Sequence, residues 1–322
     1  MEVLRNRPGQ PHHARIVCSI VTIGNFDGVH LGHRALLRRC TELAGKEESV
    51  SVVTFEPLPQ TVFRPEAAPA RLTTVYQKLL QLRDAGVDRT WMLRFDQSLA
   101  TLVPREFVRS VLVEGLAASC VVVGEDFRFG YRREGDVAQL SALGEEFGFG
   151  VDTPRAVYLE EERISSTAIR SALAEGNLER AAKMLGRPFR MEGHVVVGQQ
   201  LGRKLGYPTA NLRIRARPAA VQGIFAVYVR VPVYHGDPHG HHTWLPGVSS
   251  LGWRPTVGGR EPLLEVHLFD FERDLYGQRL EVEFVAKLRD EAHFAAIEPL
   301  VAQMRRDEAE ARLILENTQR PV

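Results

Sequence analysis

Residues 24–33 contain the side chains with the clearest capacity for chemistry in this chain. The candidates for contact with a nucleotide are Gly24, Phe26, His30, Gly32 and His33. Imidazole rings can donate hydrogen bonds to phosphate oxygens, and the amides at the start of a helix attract anions. A glycine between the rings would let a nucleotide approach the backbone. A phosphate-binding turn is favoured over a purely structural one, because two polar rings beside a buried strand need polar partners.

A second cluster of hydroxyl and cationic side chains lies in residues 164–170. Ser166 and Thr167 stand at a predicted helix start, and Arg170 follows one turn later. Hydroxyls and a guanidinium group placed there can hold an anion. A plain helix cap explains this cluster equally well when it is taken alone, so its functional interpretation depends on the histidine turn.

A glycine-rich basic loop opens the second half of the chain and leads into a Pro-Thr-Ala-Asn turn. The residues that could contact phosphate are Gly198, Gly202 and Lys204 in the loop and Thr209 and Asn211 in the turn. Such a loop alone more often forms a solvated turn. The Pro-Thr-Ala-Asn element is the more specific signal.

Apolar and polar residues alternate in a predicted strand further along the chain. In a strand, Glu265 and His267 would point to one face, and Leu264, Val266 and Leu268 to the other. A half-exposed strand with a polar outer face is the simplest explanation of these residues alone.

The two halves of the chain differ in periodicity. Up to about residue 186, short apolar runs alternate with helical spacing, which indicates a parallel sheet with helices on both faces. Later, β-branched and aromatic runs between Gly/Pro turns indicate an antiparallel barrel or sandwich with a C-terminal helix over 297–315. The predicted domains are 1–185 and 186–322. The predicted strands are 16–23, 50–55, 91–95, 120–123, 195–197, 224–231, 263–271 and 280–286.

Composition and charge exclude several classes of protein. Of 322 residues, 44% are hydrophobic and 25% charged, which is typical of a globular protein. The 41 basic and 40 acidic residues leave a net charge of +1. No nucleic-acid partner is expected, because such binding usually requires a basic excess. No membrane association is expected either, because no apolar run is long enough for a spanning helix.

Three cysteines, Cys18, Cys40 and Cys120, are too few and too scattered for a disulfide framework. Each has apolar neighbours, so buried free thiols and a reducing, cytoplasmic location are expected. Four histidines within residues 235–242 resemble a metal-ligand cluster. The glycines and proline among them favour an exposed hairpin tip instead, so no metal ligand is predicted there.

Residues 24–33 and 164–170 together resemble the nucleotidyltransferase superfamily that carries a His-x-Gly-His signature. With residues 54–57, 72–78 and 123–136, the chain is similar to the prokaryotic bifunctional riboflavin kinase/FAD synthetase family over nearly its whole length. The resemblance implies a Rossmann-like N-terminal domain that transfers AMP from ATP to FMN and releases pyrophosphate.

The same resemblance implies roles for residues of the N-terminal domain. Asp126 would lie near nucleotide and flavin. The side chains that would contact ATP phosphates are His30, His33, Ser166, Thr167 and Arg170. This step needs no general base, because the FMN phosphate has a second pKa of about 6 and is already anionic at pH 7.

The C-terminal half resembles a riboflavin kinase. The resemblance implies that Thr209 and Asn211 ligate Mg²⁺ and orient ATP, and both offer hard oxygen ligands. Glu265 would be the base for the 5′-hydroxyl of riboflavin. Arg289 would approach the flavin, with a salt bridge as the alternative. Residues 249–252 are Ser-Ser-Leu-Gly where the family often has Asn-Ile-Gly, a departure that concerns a local turn or flavin contact.

Three functions are compatible with these residues. The chain makes FMN and then FAD, or is a monofunctional kinase with a relic N-terminal half, or is a non-catalytic flavin sensor. The intact histidines and Arg170 oppose the second, and Glu265, Thr209 and Asn211 oppose the third. The expected partners are therefore the small molecules ATP, riboflavin and FMN. The oligomeric state stays open, a homo-oligomer included.

Overall fold

The chain folds into two compact units. The computed structural model describes residues 1–5, 8, 18–198, 202, 205–214, 219–231, 243–256 and 259–319. The first unit comprises Met1–Pro69 and Val75–Ser166, and the second comprises Ala70–Thr74 and Thr167–Val322. The predicted division between residues 185 and 186 is a functional boundary that these units do not test, and it stays a prediction.

The first unit is built on a six-stranded parallel sheet in the order β1-β4-β3-β2-β5-β6. Its strands are β1 (Glu2–Leu4), β2 (Ser19–Ile23), β3 (Ser49–Glu56), β4 (Arg89–Arg94), β5 (Ala118–Val122) and β6 (Gly150–Asp152). Its helices are α1 (Leu31–Leu43), α2 (Pro59–Phe63), α3 (Val75–Asp84), α4 (Gln97–Ala100), α5 (Pro104–Phe107) and α6 (Val137–Phe147), with a π-helix at Val108–Val113. A small antiparallel pair follows, β7 (Tyr158–Leu159) and β8 (Glu162–Arg163). The predicted parallel α/β architecture is confirmed.

The central strands are apolar on both faces because helices cover both faces of the sheet. Val53 packs in a cluster with Val111 of the π-helix. Its neighbour Val52 packs in a second cluster with Leu37 of α1 and Leu82 of α3. Adjacent strand residues point to opposite faces, so the two clusters form two separate layers of core.

The two edge strands, β1 and β6, are not predicted from the sequence. Each has three residues, which is too few to show a hydrophobic period. Pairing with β4 and with β5 defines them.

The prediction of three buried thiols is wrong for Cys18, which is exposed. The chain enters β2 only at Ser19, so Cys18 precedes the part of the strand that the helices cover. Cys40 on α1 is buried as predicted, and Cys120 on β5 is partly buried.

The second unit contains a closed antiparallel barrel. Its strands are β9 (Arg190–Val196), β10 (Ala210–Ile214), β11 (Gly223–Val231), β12 (Thr243–Thr256), β13 (Gly259–Leu268) and β14 (Arg279–Arg289). They pair in the order β10-β13-β12-β11-β14-β9, and β9 pairs back onto β10. The helices α7 (Ser166–Ala174) and α8 (Leu178–Leu185) precede the barrel, and α9 (Ile297–Glu316) follows it. The sequence left a barrel and a sandwich open. Because the strands pair continuously around the sheet, the structure is a barrel.

Helix α9 packs against the barrel through its apolar stripe. Ala311 and Leu315 join a buried cluster with Tyr228 and Trp244. The Tyr228 hydroxyl donates to the Leu315 carbonyl oxygen at 2.7 Å, which gives a buried phenol the partner it requires. The predicted C-terminal helix is confirmed.

None of the described helices is a candidate membrane span. Helix α9 has 20 residues but carries charged side chains such as Arg305, Asp307 and Glu308. Among the helices that the structure describes, none has both the length and the apolar composition that a membrane span requires.

Candidate active sites

The parallel sheet brings two of the predicted segments together. From β2 the chain winds to β3 and β4 on one side, and β5 and β6 lie on the other side. The winding therefore reverses between β2 and β5. Open α/β sheets bind ligands at such a point, outside the carboxyl ends of the strands. Residues 24–33 follow β2, and Asp126 follows β5.

A helix begins at this turn, as the sequence predicts, and His30 is the N-cap of α1. Its Nδ1 accepts a hydrogen bond from the backbone N–H of His33 at 3.3 Å. An accepting ring nitrogen carries no proton, so the proton of the neutral ring is on Nε2. His30 therefore presents an Nε2–H donor at a helix start, where anions are favoured.

The rings of His30 and His33 are stacked, with centroids 3.6 Å apart, and the Phe26 ring lies 4.8 Å from that of His33. Gly32 permits this packing. A Cβ at Gly32 would come within 3.1 Å of the His30 ring and 3.3 Å of the Ile164 carbonyl oxygen. A side chain at position 32 would therefore crowd the His30 ring, and glycine avoids this contact.

The turn before α1 has a strained backbone. Phe26 (φ 49°) and Val29 (φ 38°) lie in the left-handed region, which β-branched and bulky residues rarely adopt. Such strain costs about 1–3 kcal/mol per residue and clusters at ligand-binding sites. Both side chains are fully buried, so apolar packing holds the turn in this conformation.

Lys78 of α3 is hydrogen-bonded to the same turn. Its side chain is fully buried, and its ammonium group donates to the Asn25 carbonyl oxygen at 2.9 Å and to the Thr54 hydroxyl at 3.3 Å. The buried cation adds positive potential beside the predicted phosphate site. The sequence places Lys78 in a family-like segment, but its contact with Asn25 spans 53 positions and has no local signal.

Asp126 is paired with Arg163 of β8. Two guanidinium nitrogens donate to the two carboxylate oxygens at 2.7 and 2.9 Å. These hydrogen bonds lower the pKa of Asp126, so its carboxylate is ionised at neutral pH. The flavin contact of Asp126 stays a prediction. Arg163, which orients it, was not identified from the sequence.

Helix α7 begins at Ser166, where the sequence predicts a helix start. The Ser166 hydroxyl donates to the Asp27 carbonyl oxygen at 2.8 Å. In the second unit, Arg170 Nε donates to the Ala70 carbonyl oxygen at 2.5 Å. Contact of these side chains and of Thr167 with ATP stays a prediction.

Aromatic rings gather at the carboxyl ends of β3 and β4. The ring of Phe95 makes edge contacts with Phe55 at 5.9 Å and with Phe63 at 5.4 Å between centroids. Phe63 is 61% exposed, and an exposed large ring at a ligand-binding edge indicates a contact surface. This cluster is not predictable from the sequence, because α2 has only five residues and shows no hydrophobic period.

In the barrel, Asn211 of β10 lies directly opposite Glu265 of β13. Leu264 and Val266, which flank Glu265, are buried, so Glu265 is on the outer face as predicted. Residues opposite each other in a ladder share a face, so Asn211 is beside it. Asn211 is only 6% exposed, which shows that other parts of the chain cover it.

The loop before β10 supplies that cover. A Cβ at Gly198 would come within 2.4–2.7 Å of the Asn211 side-chain atoms, and one at Gly202 within 2.2 Å of the Tyr207 carbonyl oxygen. Close packing around the Pro-Thr-Ala-Asn turn therefore requires both glycines. Their contact with phosphate stays a prediction.

Two features named from the sequence, Lys204 and the histidines of residues 235–242, lie outside the described residues. Within the described residues, no group of three or more His, Cys, Asp or Glu side chains is placed to hold a metal ion.

Thr209 borders an open cavity of about 100 Å³. Val195, Val266, Leu268 and Tyr276 also line this cavity. A lining that combines apolar side chains with polar groups is compatible with a small organic ligand.

Residues 249–252, which are Ser-Ser-Leu-Gly where the family often has Asn-Ile-Gly, lie within β12 and not in a turn. Ser250 is the ladder partner of Glu265. Ser249 is buried, and its hydroxyl has no hydrogen-bond partner among the described residues. Of the two alternatives for this departure, a local turn is wrong, because the segment pairs continuously with β13, and an altered flavin contact stays a prediction.

Arg289 forms a bidentate salt bridge with Asp307 of α9. Its Nε and Nη2 donate to the carboxylate at 2.9 and 2.7 Å, and Gln303 donates to the same carboxylate at 2.9 Å. The salt-bridge alternative from the sequence is therefore present. A flavin contact of Arg289 stays a prediction.

Comparisons with known proteins cover both units. A family model described as FAD synthetase matches residues 13–168, and one described as riboflavin kinase matches residues 185–315. The bifunctional riboflavin kinase/FMN adenylyltransferase of Escherichia coli (strain K12) is 45% identical over 294 residues, which is 91% of each chain. The relative of the same description from Haemophilus influenzae is 41% identical over 89% of this chain and 91% of its own.

A solved structure from Streptococcus pneumoniae, described as a macrolide-efflux protein, has the same architecture. It matches with a TM-score of 0.81 and 29% identity, and covers 99% of this chain and 100% of that chain. The two family models follow each other in the order of the sheet and the barrel. With 45% identity over nine-tenths of its length, the chain belongs to the family of bifunctional riboflavin kinases/FMN adenylyltransferases.

Proposed function

We propose that this chain phosphorylates riboflavin to FMN and then adenylylates FMN to FAD, with ATP as co-substrate in both steps. The first reaction is assigned to the barrel and the second to the parallel sheet. The observation that carries the proposal is the pairing of Asn211 with Glu265, which puts an amide and a carboxylate on one face. The helix capped by His30 at the reversal of the sheet supports the second site.

In the kinase step, the 5′-hydroxyl oxygen of riboflavin bonds to the γ-phosphorus of ATP as the bond to the bridging oxygen breaks and ADP leaves. Glu265 holds the hydroxyl in line and accepts its proton. A carboxylate is too weak a base to ionise an alcohol in advance. The proton therefore moves late, as the loose transition state forms.

Thr209 and Asn211 fit the role of Mg²⁺ ligands. The amide nitrogen of Asn211 donates to the Thr209 carbonyl oxygen at 3.5 Å, which leaves the amide oxygen for a cation beside the Thr209 hydroxyl. Both are hard oxygen donors, and Mg²⁺ fills its remaining positions with water and substrate phosphates. When bound, the ion would neutralise charge on the β- and γ-phosphates.

In the adenylyl step, an FMN phosphate oxygen bonds to the α-phosphorus of ATP, and pyrophosphate leaves. The nucleophile is already anionic, since its second pKa is about 6. The protein therefore aligns the phosphates and stabilises the developing charge. The proposed donors are Nε2–H of His30 and the ring of His33. No side-chain nucleophile is needed.

The flavin of the second step is proposed to lie against the rings of Phe63 and Phe95. Phe63 exposes most of its surface, and a flat aromatic ligand gains apolar contact and offset stacking there. The Asp126–Arg163 pair at the end of β5 supplies polar groups for the same ligand.

The experiment that tests the function is an incubation of purified protein with riboflavin, ATP and Mg²⁺, followed by chromatography of the flavins. FAD as the end product supports two activities. FMN alone would indicate a monofunctional kinase, and unchanged riboflavin would indicate a binding protein. A cytoplasmic location is part of the proposal, because the reaction consumes ATP and the three cysteines are free thiols.

A further inference from the structure

His267 ties the strand of Glu265 to the Pro-Thr-Ala-Asn turn. It lies two positions after Glu265 on β13 and on the same outer face. Its Nδ1 is 2.9 Å from the Pro208 carbonyl oxygen. A carbonyl oxygen only accepts, so Nδ1 carries a proton and donates.

Two aromatic rings hold the imidazole in place. Tyr207 contacts it edge-on with centroids 5.1 Å apart, and Phe269 lies at 6.0 Å. Both rings are buried. Burial and the nearby charge of Glu308 on α9 raise the pKa of Tyr207. A ring confined in this way holds its hydrogen bond in one direction.

The Pro208 carbonyl controls the position of Thr209. Proline has no N–H, so its carbonyl is the only backbone group through which it can be hydrogen-bonded. Thr209 comes next, and the ladder of β10 begins only at Ala210. The hydroxyl of Thr209 therefore depends on how the preceding carbonyl is held.

We propose that His267 is a positioning residue for the kinase reaction, which fixes the Thr209 hydroxyl relative to Asn211 and Glu265 by holding the Pro208 carbonyl. The inference rests on the proposed function. Strand β13 then carries both Glu265, the proposed proton acceptor, and His267, which holds the turn that contains Thr209. A misplacement of about 1 Å at such a site can cost about 100-fold in rate.

The test compares His267→Ala, His267→Asn and His267→Gln in the full chain. The Asn side-chain nitrogen stands where Nδ1 stands, whereas the Gln nitrogen reaches the position of Nε2. We expect kcat/KM for Mg·ATP in FMN formation to fall about 10–100-fold for Ala and Gln. The Asn variant should stay within about threefold of the unmodified chain, because the bond to Pro208 is retained.

Adenylylation of supplied FMN by the same samples is the internal control for folding, and His194→Ala, an exposed histidine on β9, is the matched variant. Wild-type kinetics in His267→Ala, or equal kinetics in the Asn and Gln variants, would overturn the positioning role. If His267→Ala does not fold, the comparison of kcat/KM between His267→Asn and His267→Gln still tests the positioning role. A wild-type chain that forms no FMN would refute the proposed function instead.

Discussion

Asn211 and Glu265 face each other across the ladder of β10 and β13 on the outer face of the barrel. The Cβ atoms of such a pair are about 4.5–5.5 Å apart, so the amide and the carboxylate can act on one bound ligand. Antiparallel pairing of two strands distant in sequence thus creates the proposed kinase site.

Replacement of Glu265 by Gln should separate the two activities. FMN formation should fall about 10²–10⁴-fold, because the amide cannot accept the proton of the 5′-hydroxyl. Conversion of supplied FMN to FAD should be unchanged. The matched control is Glu310→Gln, at an exposed position of α9, which should retain both activities. Loss of both activities in a folded Glu265→Gln protein would contradict separate sites.

Two substitutions at His30 separate its role as N-cap from its role as donor. Asn retains an acceptor for the His33 N–H but lacks the Nε2–H. FAD synthesis should therefore fall about 100-fold with little change in Tm. His30→Ala also loses the cap, so its free energy of unfolding should be lower by about 1 kcal/mol. Thermal melts and both activity assays check this, and full FAD synthesis by His30→Asn would exclude the ring donor.

The substitution Gly198→Ala should weaken the binding of Mg·ATP at the kinase site without a contact with the Glu265 carboxylate. Its Cβ would come within 2.4–2.7 Å of the Asn211 side-chain atoms, so the amide must move. We expect KM for Mg·ATP in FMN formation to rise about tenfold or more, and FAD formation from FMN to be unaffected. Gly150→Ala is the control, since a Cβ there would meet no atom closer than 3.7 Å. An unchanged KM would contradict the role of Asn211.

The thiols should differ in reactivity according to their burial. Burial raises the pKa of Cys40 to about 12, so this thiol stays protonated at pH 8, and the thiolate is the reactive form. Cys18 is exposed. Titration of native protein with a disulfide reagent should show one fast thiol that disappears in Cys18→Ser. Cys40 should react only after unfolding, or above its raised pKa. A fast phase that persists in Cys18→Ser would contradict this assignment.

Local signals make the histidine turn predictable from the sequence. The His-x-Gly-His spacing at the end of an apolar strand indicates a helix start, and His30 is indeed the N-cap of α1. Alternation alone puts Glu265 and His267 on one face, which burial of their neighbours confirms. The alternation of apolar and polar residues, the helix cap and the glycine of the turn all depend on residues that are close together in the chain. They can therefore be predicted from the sequence.

Contacts between distant residues are not predictable in this way. The pairing of Asn211 with Glu265 depends on the register of the barrel. The bond from Lys78 to Asn25 depends on how α3 packs on the sheet. The exposure of Phe63 and the Arg289–Asp307 salt bridge likewise follow from tertiary packing. Patterns identify which residues face outward, but not which of them meet.

The most direct measurement follows the phosphorus atoms of ATP. Riboflavin, Mg²⁺ and ATP labelled at either the α- or the γ-phosphorus are incubated with the protein, and FMN and FAD are then separated. The γ-label should enter FMN and pass with it into FAD, whereas the α-label should enter FAD alone. An α-label in FMN, or FAD formed without it, would contradict two sites that break ATP at different phosphorus atoms.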